Sequence, residues 1–242
     1  MAEKYRTKGF IFRTEERAEA DRIFNVFSED FGKINVHAKA IRKINSKLRC
    51  GANLFYLSEI EFIEGKNHKT LTDAAVINRF YDIFCSVEKI KTAYQISDIL
   101  CNFIKGQGED KHLFGLLQET FNKLNSKISA AQNQEMIYYY FLWNFLAGQG
   151  YKPEVLKCAA CQSKLNPYNI YFSYKEGGVI CGACFTNNES AQKINSDTVK
   201  ILRIILNNDW HIFSKLKIEE NSLQLFKNIS DKAVFEFAPA NA

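Results

Sequence analysis

Proline is scarce in this chain, three in 242 residues, and methionine and tryptophan number two each. So little proline excludes a polyproline stalk or a stiff proline-rich linker. No internal repeat and no low-complexity tract breaks the sequence. Long apolar runs are missing too: the most apolar stretch, residues 136–147, is too short to span a bilayer and contains Asn144. The first residues, Met1-Ala2-Glu3-Lys4-Tyr5-Arg6, lead into alternating residues with no apolar export segment. A soluble cytoplasmic protein without membrane contact is expected. Catalytic signatures are lacking as well. The four histidines (37, 68, 112, 211) form no H-x-x-x-H pair, and there is no Walker loop and no carboxylate pair in a metal-ligand pattern. The Gly-Gln-Gly triplets at 106–108 and 148–150 lack the preceding strand and following helix of a phosphate loop, so they read as helix stops. The expectation is a protein that is not an enzyme.

What is present is ordinary globular material: 46% hydrophobic and 24% charged, with twenty Phe and eleven Tyr, enough for two modest cores. Seven cysteines, an odd number, point to a reducing compartment with free or metal-bound thiols. Cys50, Cys85 and Cys101 stand alone and read as buried small hydrophobes. The net charge of +5 is uneven. Residues 1–80 hold fifteen Lys/Arg against eleven Asp/Glu, residues 81–155 seven against eight, and residues 156–242 ten against eight. The basic character therefore lies in the N-terminal third.

That third reads as strands. Ile34, Val36 and Ala38 alternate with polar residues on one run; Leu54, Tyr56, Ile60 and Phe62 do so on another, with Ser58 interrupting. Residues 6–13, 22–28 and 70–77 are further β-rich runs, and Gly32, Gly51 and Gly65 stand where turns are needed. Five short strands in about eighty residues predict a small closed barrel, of which the five-stranded OB-fold is the commonest kind. From Asn78 onward the period becomes helical. Phe80, Phe84, Val87, Ile90, Tyr94, Ile96, Ile99, Leu100 and Phe103 predict one helix, and Leu113, Leu116, Leu117, Phe121 and Leu124 a second, after Glu109-Asp110. Residues 135–146, apolar nearly all round, predict a central third. After the cysteine segment, Val199, Leu202, Ile205 and Leu206 predict a helix opening at Asn195-Ser196-Asp197. Leu223, Leu225 and Phe226 suggest a short helix near the end, and residues 234–237 read as either helix or strand.

Cys158, Cys161, Cys181 and Cys184 follow the pattern C-x2-C, nineteen residues, C-x2-C. Two such turns aim four thiolates at one point and complete a tetrahedron with no open position, so the pattern predicts one structural zinc ion. Residues 170–174 and 177–180 read as a hairpin that returns the second pair to the first, in a loop with too little core to fold without metal. A thioredoxin-type redox reading requires a βαβ context that is not visible here. Four thiolates around one divalent ion add a net −2, bringing the loaded chain near +3.

A second constellation is the basic stretch. Residues 33–49 hold Lys33, Lys39, Arg42, Lys43, Lys47 and Arg49 and no acid, with His37, Asn45 and Ser46 among them. On a strand and the following loop of a barrel, these charges would form one patch able to follow a phosphate backbone; the alternative is a merely solvated loop. Phe10, Phe12, Phe55 and Tyr56 are candidate stacking partners for bases, or else core.

The sequence resembles the RecO family of bacterial recombination mediators. Lys8-Gly9-Phe10-Ile11-Phe12-Arg13-Thr14, then Glu19, Asp21, Ile23, Val26-Phe27-Ser28 and Gly32-Lys33-Ile34, are similar to that family's first three strands. Arg42-Lys43 and Ser46-Lys47-Leu48 match its basic loop. Gly150-Tyr151-Lys152-Pro153, Phe172-Ser173, Gly178-Val179-Ile180-Cys181 and Cys184-Phe185 match its zinc segment. Two positions depart: the family usually carries Gly where Ala40 stands, and often Pro where Ile44 stands.

The resemblance implies an α+β protein: an OB-fold DNA-binding domain at 1–78, then a helical domain at 79–242 with a four-cysteine zinc finger inserted at about 155–190. It further implies binding of single- and double-stranded DNA, annealing of complementary strands, and action with RecR to load RecA onto strands coated by single-strand DNA-binding protein. The C-terminal tail of that coating protein and RecR are the implied partners, at the helical domain and mainly at the barrel. The competing reading is a zinc-containing RNA-binding or transcription-associated OB-fold protein. A thiol-redox enzyme is the third.

Overall fold

The computed structural model describes residues 3–126, 131–186 and 190–238. The chain divides into two compact units, Met1–Ile137 and Tyr138–Ala242. In the first, strands β1 (Lys4–Arg17), β2 (Asp21–Ser28), β3 (Gly32–Ala38), β4 (Leu57–Glu64) and β5 (Lys69–Asn78) close a barrel in the order β1-β2-β3-β5-β4. The pairs are antiparallel except β3 with β5, which run parallel and meet only at Val36↔Lys69 and His37↔Thr70. This is the five-stranded barrel expected from the alternation.

Its core is built from the inward face of each strand. Ile34, Val36 and Ala38 point in from β3 as predicted, and Phe24, Val26, Ile60, Phe62 and Leu71 meet them. Each of these side chains larger than alanine contributes roughly 1.5–3 kcal/mol on leaving water. Tyr5, Phe31 and Phe62 pack ring against ring at one end. β1 does not alternate cleanly, because its register against β2 shifts between Ile11 and Arg13. The bulge turns the strand, and Phe10, Ile11 and Phe12 are all buried in succession. β4 begins later than the pattern suggested: Leu54 and Tyr56 lie in the loop that precedes it. Ser58 is buried, and its hydroxyl donates to the Gly51 carbonyl at 2.6 Å, which satisfies a polar group inside the barrel.

The candidate stacking residues Phe10, Phe12 and Phe55 are 1%, 1% and 0% exposed, so they are core and not a platform for bases. Phe10 and Phe55 pack on Phe121, and Phe80 joins them. Phe55 and Phe80 hold left-handed backbone at φ 62° and 47°, a strain that this aromatic packing outweighs.

The helical region starts differently from the prediction. A 3-10 turn covers Tyr81–Cys85, and helix α1 (Val87–Phe103) opens only after Ser86, whose side chain accepts from the Lys89 N–H. The capping bond fixes that start, and the helix then buries Ala93, Ile96, Ile99 and Leu100 while leaving Phe84, Val87 and Tyr94 exposed. Helix α2 (Lys111–Asn125) is capped by Asp110 and buries the five predicted apolar positions.

Helix α3 (Ala131–Gly148) begins in the first unit, and its part in the second has Tyr140, Phe141, Leu142 and Trp143 all buried, as its all-round apolarity requires. The Trp143 indole N–H donates to Ser230 Oγ at 2.9 Å. Strands β6 (Ile170–Ser173), β7 (Gly178–Cys181) and β8 (Gln192–Ile194) form an antiparallel sheet in the order β7-β6-β8, its third strand unforeseen. Between β7 and β8 lies a single turn of helix, α4 (Gly182–Phe185). Helix α5 (Ser196–Leu206) is capped by Asn195, whose side chain accepts from the Thr198 N–H at 2.9 Å. A short α6 (Trp210–Phe213) follows. The ambiguous end is one long helix, α7 (Glu220–Phe237), which buries Phe226, Ile229 and Ala233. Among the described residues, no helix is long and apolar enough to cross a membrane.

Candidate metal centre and nucleic-acid interface

The four predicted cysteines come together: the Sγ atoms of Cys158, Cys161, Cys181 and Cys184 all lie within 4.8 Å of one another. Local backbone geometry does this. The first pair sits on a knuckle between Lys157 and Lys164, which form an isolated antiparallel bridge, with Gln162 in left-handed backbone at φ 61°. The second pair spans the end of β7 and the turn α4. Ala159 N–H donates to the Val179 carbonyl at 2.8 Å, docking knuckle on hairpin. Gly178, at φ 157°, lies so close to the Glu154 backbone that a Cβ would collide with it. Arg203 on α5 sends Nε and Nη2 to the Val155 carbonyl at 2.9 and 2.6 Å, tying the segment to the helix. Tyr171 stacks on Phe185 at 3.8 Å beside the cluster.

The donor set suits a tetrahedral ion. Metal–sulfur bonds of about 2.3 Å give a tetrahedron with edges of about 3.8 Å, and Cys161 and Cys181 Sγ lie 3.8 Å apart. The Cys181 N–H points at Cys158 Sγ at 3.3 Å, the backbone donation that a thiolate calls for. Ser163 hydrogen-bonds Cys161 and brings its thiol down to about 6. The Cys184 backbone lowers Cys181. Cys184 is pushed up to about 12, chiefly by its hydrogen bond with the Cys161 sulfur. Four thiolates this close need a cation between them. The second pair meets only a four-residue turn of helix, and among the described residues the strands on either side of it each pair antiparallel with β6. The remaining cysteines depart from expectation. Cys50 and Cys85 are exposed, and Cys101 is half-buried and accepts from Arg13 Nη1 at 3.4 Å.

The basic stretch divides. Lys33 is committed to packing: its ammonium donates to the carbonyls of Leu100, Cys101 and Ile104 at 3.4, 3.1 and 2.7 Å, closing the carboxyl end of α1. Burial lowers its pKa. Lys39, Arg42, Lys43, Lys47 and Arg49 are exposed, on a chain of tight turns that ends in a 3-10 turn at Lys47–Cys50. Ile41 and Ala52 drop into the barrel core and Leu48 packs against it, so the loop is anchored while its cations face out. Ala40 holds φ 52°, left-handed backbone to which glycine is better suited. Ile44 stands 89% exposed at the tip.

One residue escaped the sequence pattern. Arg22 on β2, paired in register with Ala38, joins Arg42 and Arg49 around a cavity of 230 Å³ that also includes Asn53. Glu16 holds two of these arginines, accepting from Arg22 Nε at 3.0 Å and Arg42 Nη1 at 2.8 Å. Both bonds are charge-assisted, so the two guanidinium groups are held together over one carboxylate.

Two family models cover most of the chain: recombination protein O, N terminal, over residues 1–80, and recombination protein O, C terminal, over residues 87–234. The chain belongs to the RecO family. Among its relatives is a DNA repair protein RecO of Dehalococcoides mccartyi, 34% identical over 219 residues, which covers 90% of this chain and 85% of that protein. The RecO of Acetivibrio thermocellus is 29% identical over 231 residues, 96% of this chain and 90% of its own length. The RecO of Halalkalibacterium halodurans is 23% identical over 234 residues, 97% and 90% respectively. The break between the two family models, at 80–87, falls at the 3-10 turn that precedes α1.

Proposed function

We propose that this protein is a non-catalytic mediator of recombinational DNA repair in the bacterial cytoplasm, associated with the nucleoid. It binds single- and double-stranded DNA, anneals complementary strands, and with RecR helps load RecA onto strands coated by single-strand DNA-binding protein, whose C-terminal tail it contacts. The observation that carries the reading is the anchored, acid-free loop with Lys39, Arg42, Lys43, Lys47 and Arg49 exposed, Arg42 and Arg49 sharing a cavity with Arg22, in a family whose relatives are DNA repair proteins. Annealing needs only that the repulsion between two phosphate chains be screened, which surface cations do without chemistry. The guanidinium pair on Glu16 would exchange that carboxylate for a phosphate.

Zinc is the metal proposed for Cys158, Cys161, Cys181 and Cys184, as one structural ion. Four sulfur ligands leave no position for water, so the ion would stabilise the knuckle and hairpin and activate nothing. In functional terms, residues 1–78 serve as the nucleic-acid domain and 79–242 as the helical partner domain, with the zinc finger at 155–190.

The test is oligonucleotide binding by fluorescence anisotropy across a salt series, followed by annealing with bare and protein-coated strands. Affinity that falls steeply with salt, together with accelerated annealing, is expected. An RNA of the same sequence competing more strongly than the DNA would overturn the assignment in favour of an RNA-binding protein.

A further inference from the structure

The four clustered sulfurs share one chemistry but not one environment. Cys158 is buried at the root of the knuckle. Its N–H donates to the Ser163 carbonyl at 2.9 Å, and its sulfur accepts from the Cys181 N–H at 3.3 Å. Cys181 and Cys184 are half-buried where β7 runs into α4, a turn held by the Gly182 N–H on the Asn169 carbonyl at 3.1 Å. Cys161, alone of the four, is exposed. Its sulfur has the Ser163 hydroxyl at 3.1 Å on its own knuckle and the Cys181 sulfur at 3.8 Å across on the hairpin. The cluster therefore has a closed side and an open one, and a reagent from solvent meets Cys161 first.

We propose that this open side makes the cluster a site of reversible oxidation by peroxide, with Cys161 the sulfur that reacts and Cys181 the sulfur that resolves it. The inference rests on the zinc reading of the four cysteines and goes beyond it. A metal-held cysteine is a thiolate, the form that attacks a peroxide, and exposure decides which one is reached. The Cys161 thiolate attacks one oxygen of hydrogen peroxide, the O–O bond breaks, hydroxide leaves, and Cys161 carries a sulfenic acid. The Cys181 thiolate attacks that sulfur, the S–O bond breaks, a second hydroxide leaves, and the S–S bond forms. Each sulfur gives up one electron and the peroxide takes both.

Position favours Cys181 over Cys158 as the resolving sulfur. The Cys158 sulfur is buried and engaged by a backbone N–H, whereas the Cys181 sulfur has only to close from 3.8 Å to about 2 Å. The cross-link joins knuckle to hairpin, the same two pieces that the ion joins in the reduced protein. Cys158 and Cys184 alone are too few to hold a tetrahedral ion, so zinc leaves while the segment stays closed. The bond from the Ala159 N–H to the Val179 carbonyl and the Arg203 tie to Val155 involve no sulfur and survive the exchange.

The test uses the full-length, zinc-loaded protein with Cys50→Ser and Cys85→Ser, because those two exposed thiols would compete for the oxidant. Hydrogen peroxide is added, released zinc is read with a chromophoric indicator, and the cysteines are mapped by peptide mass spectrometry. A dimedone trap for sulfenic acid is expected to label Cys161 ahead of the other three. Without the trap, one zinc should leave per disulfide formed, and that disulfide should be Cys161–Cys181. A thiol reductant with added zinc should restore the starting protein. The oxidised segment should keep its resistance to protease, unlike protein stripped by a chelator. Zinc still bound under excess peroxide, once Cys50 and Cys85 of the wild-type chain are fully oxidised, would overturn the proposal. So would a disulfide within either pair or at Cys184, or rapid proteolysis of the oxidised segment. Protein purified without chelator that holds no zinc would overturn the metal reading itself, and this inference with it.

Discussion

Two segments of this protein do without long regular elements, and they are held in opposite ways. The basic loop at 39–49 hangs from the barrel by Ile41, Leu48 and Ala52, with backbone bonds such as Arg42 N–H to the Ala20 carbonyl at 3.0 Å. Of its charged groups, Arg42 is paired with Glu16, and Lys39, Lys43, Lys47 and Arg49 are exposed. The cysteine segment turns its four sulfurs toward one another: Cys158 is 0% exposed, Cys181 and Cys184 are half-buried, Cys161 is exposed, and Arg203 fastens the segment to α5. A side chain that meets a polyanion at the surface keeps its solvent until the partner arrives, whereas thiolates that bind a metal are brought together as the segment folds around it. Under the proposed function, the loop with its exposed cations would be the working surface and the converging cysteines the scaffold.

The largest expected effect falls on the scaffold. Stripping metal with a chelator should unfold residues 155–190, read as rapid proteolysis there, while the barrel stays resistant; binding free energy for such ions runs to about 10 kcal/mol. Equal protection with and without chelator would mean that no metal holds the segment. Next, Lys39→Glu, Lys43→Glu and Lys47→Glu together should weaken single-strand binding by about 100-fold at low salt and flatten its salt slope by about 2. The melting temperature should hardly move, because all three are exposed. Arg203→Met loses two charge-assisted bonds to one carbonyl and should cost about 2 kcal/mol in denaturant unfolding, with oligonucleotide binding intact. The smallest effect runs the other way. Ala40→Gly relieves a left-handed alanine and should add up to about 1 kcal/mol of stability without changing affinity.

Acid should also act on the barrel. Burial lowers the His37 pKa, so the unfolded chain takes up this proton more readily than the folded one. His37 therefore costs nothing at neutral pH and erodes stability as pH falls through the ordinary histidine range. His37→Gln should remove that part of the acid sensitivity in thermal melts.

What could be read in advance was whatever depends on neighbours along the chain. The C-x2-C pairs, the alternation of Ile34, Val36 and Ala38, and the caps at Asp110 and Asn195 are local, and each is found where it was expected. One misreading was local: Phe84, Val87 and Tyr94 fit the helical period, but the Ser86 cap starts the helix after Phe84, and all three stay exposed. The others arose where a distant partner decided. Phe10, Phe12 and Phe55 had the composition of a stacking surface, but Phe121 and the bulge in β1 take them into the core. Cys50 and Cys85 had apolar neighbours in sequence and none that cover them in space.

The charges divide in the same manner. Sequence alone determined that a run of six cations without an acid exists and that four sulfurs can reach one point, because both follow from residue type and spacing. Only the tertiary structure decided which of those cations remain available. Lys33 was taken by carbonyls at the end of α1, about seventy residues along the chain, while Arg22 was brought in from a neighbouring strand. A charged side chain reaches several ångströms from its backbone, so its partner is chosen by what the fold packs nearby, and spacing along the chain carries no record of that choice.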